Sequence, residues 1–244
     1  MSTSLRAVGL LGGMSWQSTA EYYRLLNELT AERLGGLHSA RCLLYSVDFA
    51  EVAVLQTEER WAEAAELLAV AGERLVLSGA GVVLVCSNTM HLVAGPLAER
   101  VPLLHLGDVT AAAVRAAGVT RVGLLGTAFT MERPFYREHL AGHGIEAIVP
   151  DADDRALVHR VIYEELCRGI FTDAAREAFA GVVRGLVARG AQGVIYGCTE
   201  IELLLDSAHS PIPAFPTTRL HAEAAVRFAV GERLADIAPA FSRV

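Results

Sequence analysis

Two stretches of this chain repeat one another, and the repeat limits the folds open to it. At an offset of 111, Gly79-Ala80-Gly81-Val82-Val83-Leu84-Val85-Cys86-Ser87-Asn88-Thr89 lies over Gly190-Ala191-Gln192-Gly193-Val194-Ile195-Tyr196-Gly197-Cys198-Thr199-Glu200. The same offset pairs Pro102 with Pro213, Ala111 with Ala222 and Ala113 with Ala224. A second match, at offset 114, sets Val8-Gly9-Leu10-Leu11-Gly12-Gly13 over Val122-Gly123-Leu124-Leu125-Gly126-Thr127. The chain therefore reads as two similar halves, each carrying an apolar strand that runs into Ser87 or Cys198.

The halves alternate strands and helices. Continuous apolar runs predict strands at Val8–Leu11, Cys42–Phe49, Val82–Val85, Leu103–Leu106, Val122–Leu125, Ala147–Pro150 and Val194–Tyr196. Helical spacing predicts one helix after a Ser18–Glu21 capping box, stopped at Gly35-Gly36, and a long one from Thr57 to Leu77. Further helices are expected over Thr110–Ala117, Met131–Ala141, Ala156–Cys167, Ala174–Arg189 and Leu220–Leu234. The expected fold class is α/β, with two pseudo-symmetric lobes. Each is a short parallel sheet flanked by helices, and the active site lies in the cleft between them. The first lobe is placed at residues 1-113, completed by the C-terminal helix at about 220-244, and the second at 114-219.

Composition excludes several function classes. A net charge of −7 argues against nucleic acid, which needs a basic surface. No apolar run reaches the roughly 18 residues of a membrane span, and no signal peptide is evident, so a cytoplasmic location is expected. All 21 basic residues are Arg. Without a lysine the chain cannot form the Schiff base of a pyridoxal enzyme or complete a phosphate-binding P-loop. Cys42, Cys86, Cys167 and Cys198 are widely spaced, which indicates neither a zinc site nor a disulfide scaffold. No metal and no cofactor is expected.

Four predicted strand ends carry the candidate chemistry: Gly12–Ser15, Ser87–Thr89, Thr127–Thr130 and Cys198–Glu200. Taken singly, each has an ordinary structural use as a tight turn, a helix cap or a core thiol. Their coincidence at strand ends, paired across the repeat, favours a site. The offset of 111 sets Ser87, not Cys86, against Cys198, and neighbours on an extended segment face opposite ways, so Cys86 reads as structural. His91 and His221 follow the two motifs, where a histidine more often packs or caps than reacts.

Gly12-Gly13-Met14-Ser15-Trp16, Gly35-Gly36-Leu37-His38-Ser39-Ala40, Ser87-Asn88-Thr89-Met90-His91, Gly126-Thr127 with Phe129-Thr130-Met131, and Gly197-Cys198-Thr199-Glu200-Ile201 together resemble the aspartate/glutamate racemase family, in its bacterial amino-acid racemase branch. The resemblance covers nearly the whole chain. It implies a cofactor-independent amino-acid racemase acting on a small-molecule substrate, and it leaves a homodimer open. Cys198 matches the family's second catalytic cysteine, and Ser87 stands where two-cysteine members have their first. Asn88, Thr89 and Thr199 match residues holding the substrate's carboxylate and amino group. Met14, Ser15 and Thr130 match the pocket wall, and Thr127 and Glu200 complete the substrate-binding set. Three positions depart from the pattern: Ser87 itself, Ala128 where many relatives carry Arg or Lys, and Pro216 where an Asp is common.

The implied chemistry removes the α-proton on one face and restores a proton on the other. A helix starting after Cys198 is expected to lower its pKa, whereas Ser87 is a weak base without an activating partner. The alternatives are a one-cysteine decarboxylase or cis-trans isomerase of the same superfamily, or a catalytically silent small-acid binding protein.

Overall fold

The structure of the protein, a computed structural model, describes residues 5–205 and 210–238. The described residues form two compact units, 5–109 with 221–238 and 110–205 with 210–220. The first contains β1 (Val8–Gly12), α1 (Trp16–Leu34), β2 (Cys42–Ser46), α2 (Phe49–Thr57), α3 (Trp61–Leu77), β3 (Val82–Val85), a 3-10 turn (Thr89–Val93) and α4 (Ala94–Ala98). The chain leaves it within α5 (Leu106–Ala116). The second contains β4 (Arg121–Gly126), α6 (Ala128–Glu132), α7 (Pro134–Gly142), β5 (Glu146–Ile148), α8 (Ala152–Glu164), a 3-10 turn (Leu166–Arg168), α9 (Asp173–Ala188), β6 (Gly193–Gly197), α10 (Thr199–Leu204) and β7 (Ala214–Pro216). The chain returns within α11 (Thr217–Ala229), followed by α12 (Leu234–Ile237).

Both sheets are parallel, in the orders β2-β1-β3 and β5-β4-β6-β7. They share one plan to the residue. Val8 pairs with Val82 in the first sheet. Carried forward by their own sequence offsets, 114 and 111, these two positions become Val122 and Gly193, which pair in the second sheet. The fourth strand of the second sheet has a counterpart in the first. Val194 pairs with Ala214, and at the offset of 111 their equivalents, Val83 and Leu103, form an isolated bridge. Each bridge is preceded by the same bond: Val83 N–H donates to Pro102 O at 2.8 Å, and Val194 N–H to Pro213 O at 2.9 Å. The expected strand at Leu103–Leu106 is thus reduced to one bridge, because α5 begins at Leu106.

The turns feeding β3 and β6 match as well. Gly79 and Gly190 take φ of +102° and +91°, and Ala80 and Ala191 N–H reach back to Leu75 and Leu186 O, both at 3.0 Å. This left-handed exit closes a helix and aims the chain into the strand. β1, β3 and β6 are buried along their full length, whereas the edge strand β2 is only partly covered. α3 and the 3-10 turn cover one core (Leu68, Leu75, Val83, Val85, Met90), and α8 and α9 cover the other (Val161, Phe179, Val183, Tyr196).

Helix boundaries differ from expectation where local chemistry overrides periodicity. Asp48 caps α2 through Ala50 N–H, so Phe49 is helical rather than the end of a strand. The long helix expected over Thr57–Leu77 starts later, as α3 at Trp61, and Thr57 is the last residue of α2. Glu59 sits at φ 55° and Arg60 N–H closes on Leu55 O at 2.8 Å, which ends α2 before α3 starts. Pro134 starts α7 and splits the helix expected over Met131–Ala141. The helix expected over Leu220–Leu234 starts at Thr217, ends at Ala229 and is followed by the short α12.

Candidate active site

Each sheet carries its loops at the carboxyl ends of its strands, where parallel sheets place their ligands. In the first unit Ser87 lies just beyond β3. Cys86 extends the ladder by one bond, its N–H donating to Leu11 O at 2.9 Å. Its thiol is fully buried, and burial alone pushes its pKa far up. Ser87, the next residue, is half-exposed. The alternation expected from the sequence therefore holds, and Cys86 is a core residue. Past the end of the ladder the buried carbonyls need new donors. Ser18 Oγ donates to Cys86 O at 3.2 Å, and His91 Nδ1 to Ser87 O at 2.8 Å.

The proton on His91 can be assigned from its partners. Leu106 N–H donates to Nε2 at 3.2 Å, so Nε2 carries the lone pair and Nδ1 the proton given to the Ser87 carbonyl. Both nitrogens of His91 are thus engaged by backbone. His221 is likewise neutral. Nε2–H meets Leu104 O at 2.9 Å, Nδ1 accepts from Tyr22 Oη at 2.8 Å, and burial brings its pKa down to about 3, helped by the nearby His91. The Ser87 hydroxyl accepts only a long 3.4 Å bond from Met90 N–H. Among the described residues no base accepts its proton.

In the second unit Cys198 is the first residue after β6, extended at φ −156° and ψ 132°, in the N-cap position of α10. Its thiol donates to Glu200 Oε2 at 2.8 Å. The expectation that the helix start would lower its pKa is corrected here. Burial raises the thiol well above its ordinary value, and the Glu200 charge, the bond to it and the nearby Cys167 add to the rise. α10 has only six residues, and the one lowering influence, a backbone N–H at Glu200, is outweighed. Cys198 thus rests as a thiol held by a carboxylate.

Glu200 is buried and serves more than one acid. Cys167, on the turn after α8, is pushed up to about 12 by burial and then by the charge of Glu200 and a hydrogen bond to it. Tyr163 on α8 is pushed up to about 12 by burial, with Cys198, Cys167 and Glu200 adding to it. Tyr163 lies against His159, ring centroids 4.7 Å apart, and His159 Nδ1 accepts from Ala128 N–H at 3.1 Å.

Residues 11–225 match the family model described as Asp/Glu/Hydantoin racemase. The chain belongs to that family. A solved Yersinia pestis protein assigned to the Asp/Glu racemases is 48% identical, with a TM-score of 0.87 over 93% of this chain and 100% of that one. An aspartate racemase homologue from Pyrococcus horikoshii is 28% identical, with a TM-score of 0.83 over 92% and 99% of the two chains. The fold alone also resembles unliganded arylmalonate decarboxylase, 17% identical with a TM-score of 0.52 over 93% and 94%.

Within this racemase-family fold the other candidate residues divide by exposure and partner. Ser15, half-exposed, caps α1 by accepting from Ser18 N–H at 3.2 Å. The capping box expected to start at Ser18 is not formed: α1 already begins at Trp16, so Ser18 lies inside its first turn, and its hydroxyl donates to Cys86 O. Met14 is buried in the first core. Between them and β1, Gly13 takes φ +96°, and a Cβ there would meet Val47 O at 2.2 Å. Thr19 holds that turn, accepting from Gly13 N–H and donating to Ser15 O, both at 2.9 Å. Asn88 and Thr89 are buried at the head of the 3-10 turn. Thr127 caps α6 through Thr130 N–H, and Thr130, with no exposed surface, packs where a Cβ on Gly126 or Gly197 would go. Thr199 bonds Thr218, Oγ1 to Oγ1, at 2.9 Å. Sequence reasoning missed Thr19, Cys167, Tyr163 and His159, none of which lies at a strand end or carries a repeat partner.

Proposed function

We propose that this chain is an amino-acid racemase that works without pyridoxal phosphate, moving the α-proton between Cys198 and Ser87. The observation that carries the reading is the 2.8 Å contact between the Cys198 thiol and the Glu200 carboxylate at the end of β6. In it a proton acceptor stands against the thiol that the repeat pairs with Ser87. Passing the thiol proton to Glu200 leaves a thiolate and a neutral acid, with no change in net charge. A bound amino acid brings an ammonium group, which favours the thiolate. The thiolate removes the α-proton and becomes a thiol, the electron pair passes into the substrate carboxylate, and Ser87 donates its proton to the other face. The resulting alkoxide takes a proton from solvent and Glu200 gives one up, which returns the site to its starting state. The reverse direction needs Ser87 as the base, with no described partner to activate it, so the two directions differ in kcat. Asn88, Thr89 and Thr199 are the proposed holders of the carboxylate and ammonium, with Met14, Ser15, Thr127 and Thr130 shaping their surroundings.

A second reading is supported by the resting state of Cys198. A thiol held protonated is a ready donor, which suits a decarboxylase that protonates an enediolate from one face.

The test incubates each L- and D-amino acid in D2O and follows the α-proton by NMR, with optical analysis of the product. Exchange with inversion is expected for at least one amino acid, and Cys198→Ala should reduce it by about 10²–10⁴-fold. Carbon dioxide release from a disubstituted malonate, with no exchange in any amino acid, would establish the second reading. Binding without either reaction would mark a silent binder.

A further inference from the structure

Four positions beyond Ser87 and Cys198 stand His91 and Glu202, themselves a repeat pair at offset 111. They share no chemistry except a hydrogen-bond acceptor, and both offer it to an amide in the first turn of a helix. His91 Nε2 accepts from Leu106 N–H at 3.2 Å, and Glu202 Oε1 accepts from Thr218 N–H at 2.7 Å. Those amides open α5 and α11, whose first residues, Leu106 and Thr217, are related by the same offset. Each unit thus ties its strand-end loop to the first turn of the next long helix through the same repeat position. The first amides of a helix have no partner within it, so an outside acceptor there satisfies a real need.

The two ties differ in how they hold the residue four back. His91 also donates to Ser87 O at 2.8 Å, so it grips the Ser87 peptide directly. Glu202 has no proton to give. The Cys198 carbonyl is taken instead by Ile201 N–H at 3.1 Å, and the second carboxylate oxygen accepts from Arg219 N–H at 3.4 Å. The loops being held run into a 3-10 turn of five residues and a helix of six. Helices that short do not hold themselves in water, whereas α5 and α11 span 11 and 13 residues.

We propose that His91 and Glu202 are paired positioning residues, His91 fixing Ser87 and Glu202 fixing Cys198. The proposal rests on the racemase reading for its two faces. A displacement near 1 Å at a reacting group costs up to about 10²-fold, so each strap should act on its own face. The test compares His91→Ala and Glu202→Ala with His91→Gln and Glu202→Gln, whose amides keep an acceptor. In D2O, starting from the enantiomer whose α-proton Cys198 removes, His91→Ala should retain exchange within about threefold and lose inversion by about tenfold or more. Glu202→Ala should lose both. The Gln variants should recover most of each loss, including where an Ala variant fails to fold. Equal losses of exchange and inversion in a folded His91→Ala, or Gln variants no better than Ala, would overturn the proposal.

A second arm does not need turnover. The thiol of Ser87→Cys is alkylated with iodoacetamide, with and without His91→Ala, and Cys198 with and without Glu202→Ala, each peptide being read by mass spectrometry. Each strap should change the rate at its own thiol by about tenfold and leave the other within about twofold. Rates that do not follow this pattern reject the straps. If no amino acid exchanges in wild type while the alkylation pattern holds, the racemase reading fails and the straps stand.

Discussion

At the scale of single residues the decisive contact is Cys198 with Glu200. A thiol 2.8 Å from a buried carboxylate cannot ionise easily, since the second negative charge would sit beside the first. Burial and that charge act in the same direction, upward. Glu200→Gln removes the charge and keeps the size. Thiolate should then form at lower pH, and alkylation of Cys198 by iodoacetamide at pH 8 should quicken, by about tenfold for each unit that its pKa falls. Below the variant's thiol pKa proton exchange at the substrate should fall, because the amide cannot take the thiol proton, and above it, where solvent takes that proton, exchange should recover. Faster alkylation with exchange that recovers as the pH rises is a pairing that general damage does not produce, since damage to the site lowers both at every pH. If alkylation slows or stays constant, Glu200 does not control the thiol.

At the scale of elements, the repeat is a repeat of turns and registers more than of residues. Gly79 and Gly190 close α3 and α9 at positive φ, and the strands that follow pair in equivalent registers. An L side chain in such a conformation costs about 1–2 kcal/mol. Gly79→Ala and Gly190→Ala should each lose about that much stability in urea unfolding. Gly181→Ala, within α9 at no positive φ and with nothing nearer than the Arg184 guanidinium at 3.7 Å, should be neutral or slightly stabilising. A Gly181 loss equal to the other two would mean that the turn conformation is not the cause. The repeat also explains what can be read from the sequence. The strand ends at Gly12, Gly126 and Gly197 are legible because each is an apolar run closed by Gly, and the β3 run because it gives way to Ser87 after Cys86. β7 is not. Its three residues, Ala214-Phe215-Pro216, are too short and too proline-bound to look like a strand, although Pro213 already matches Pro102. The break at Glu58–Arg60 is illegible for a different reason: Gln56-Thr57-Glu58-Glu59-Arg60 holds no Gly or Pro to mark it, and the backbone turns through Glu59 all the same.

At the scale of the whole molecule, sequence can pair positions but cannot set their protonation. Ser87 and Cys198 are matched by offset alone, yet the direction of the Cys198 shift depends on where the Glu200 carboxylate points, and no spacing encodes that. His221 shows the same gap. It stands in the last segment of chain yet belongs to the unit of Tyr22 and Leu104, bonded to both and fully buried. Such a group makes folding depend on pH. Its folded pKa, about 3, lies below the ordinary 6.5, so between these values the unfolded chain binds a proton that the folded chain refuses. Stability from His221 is therefore fully present above about pH 6.5 and falls as the pH drops towards 3, at up to about 1.4 kcal/mol per unit. His221→Gln keeps a donor for Leu104 O and removes the titration. Urea unfolding at pH 7, 6, 5 and 4.5 should show wild type losing stability more steeply than the variant below pH 6, while the variant is the weaker of the two at pH 7. Parallel pH profiles would mean that His221 is protonated in the folded chain, which its bond to a carbonyl on one nitrogen and to Tyr22 on the other argues against.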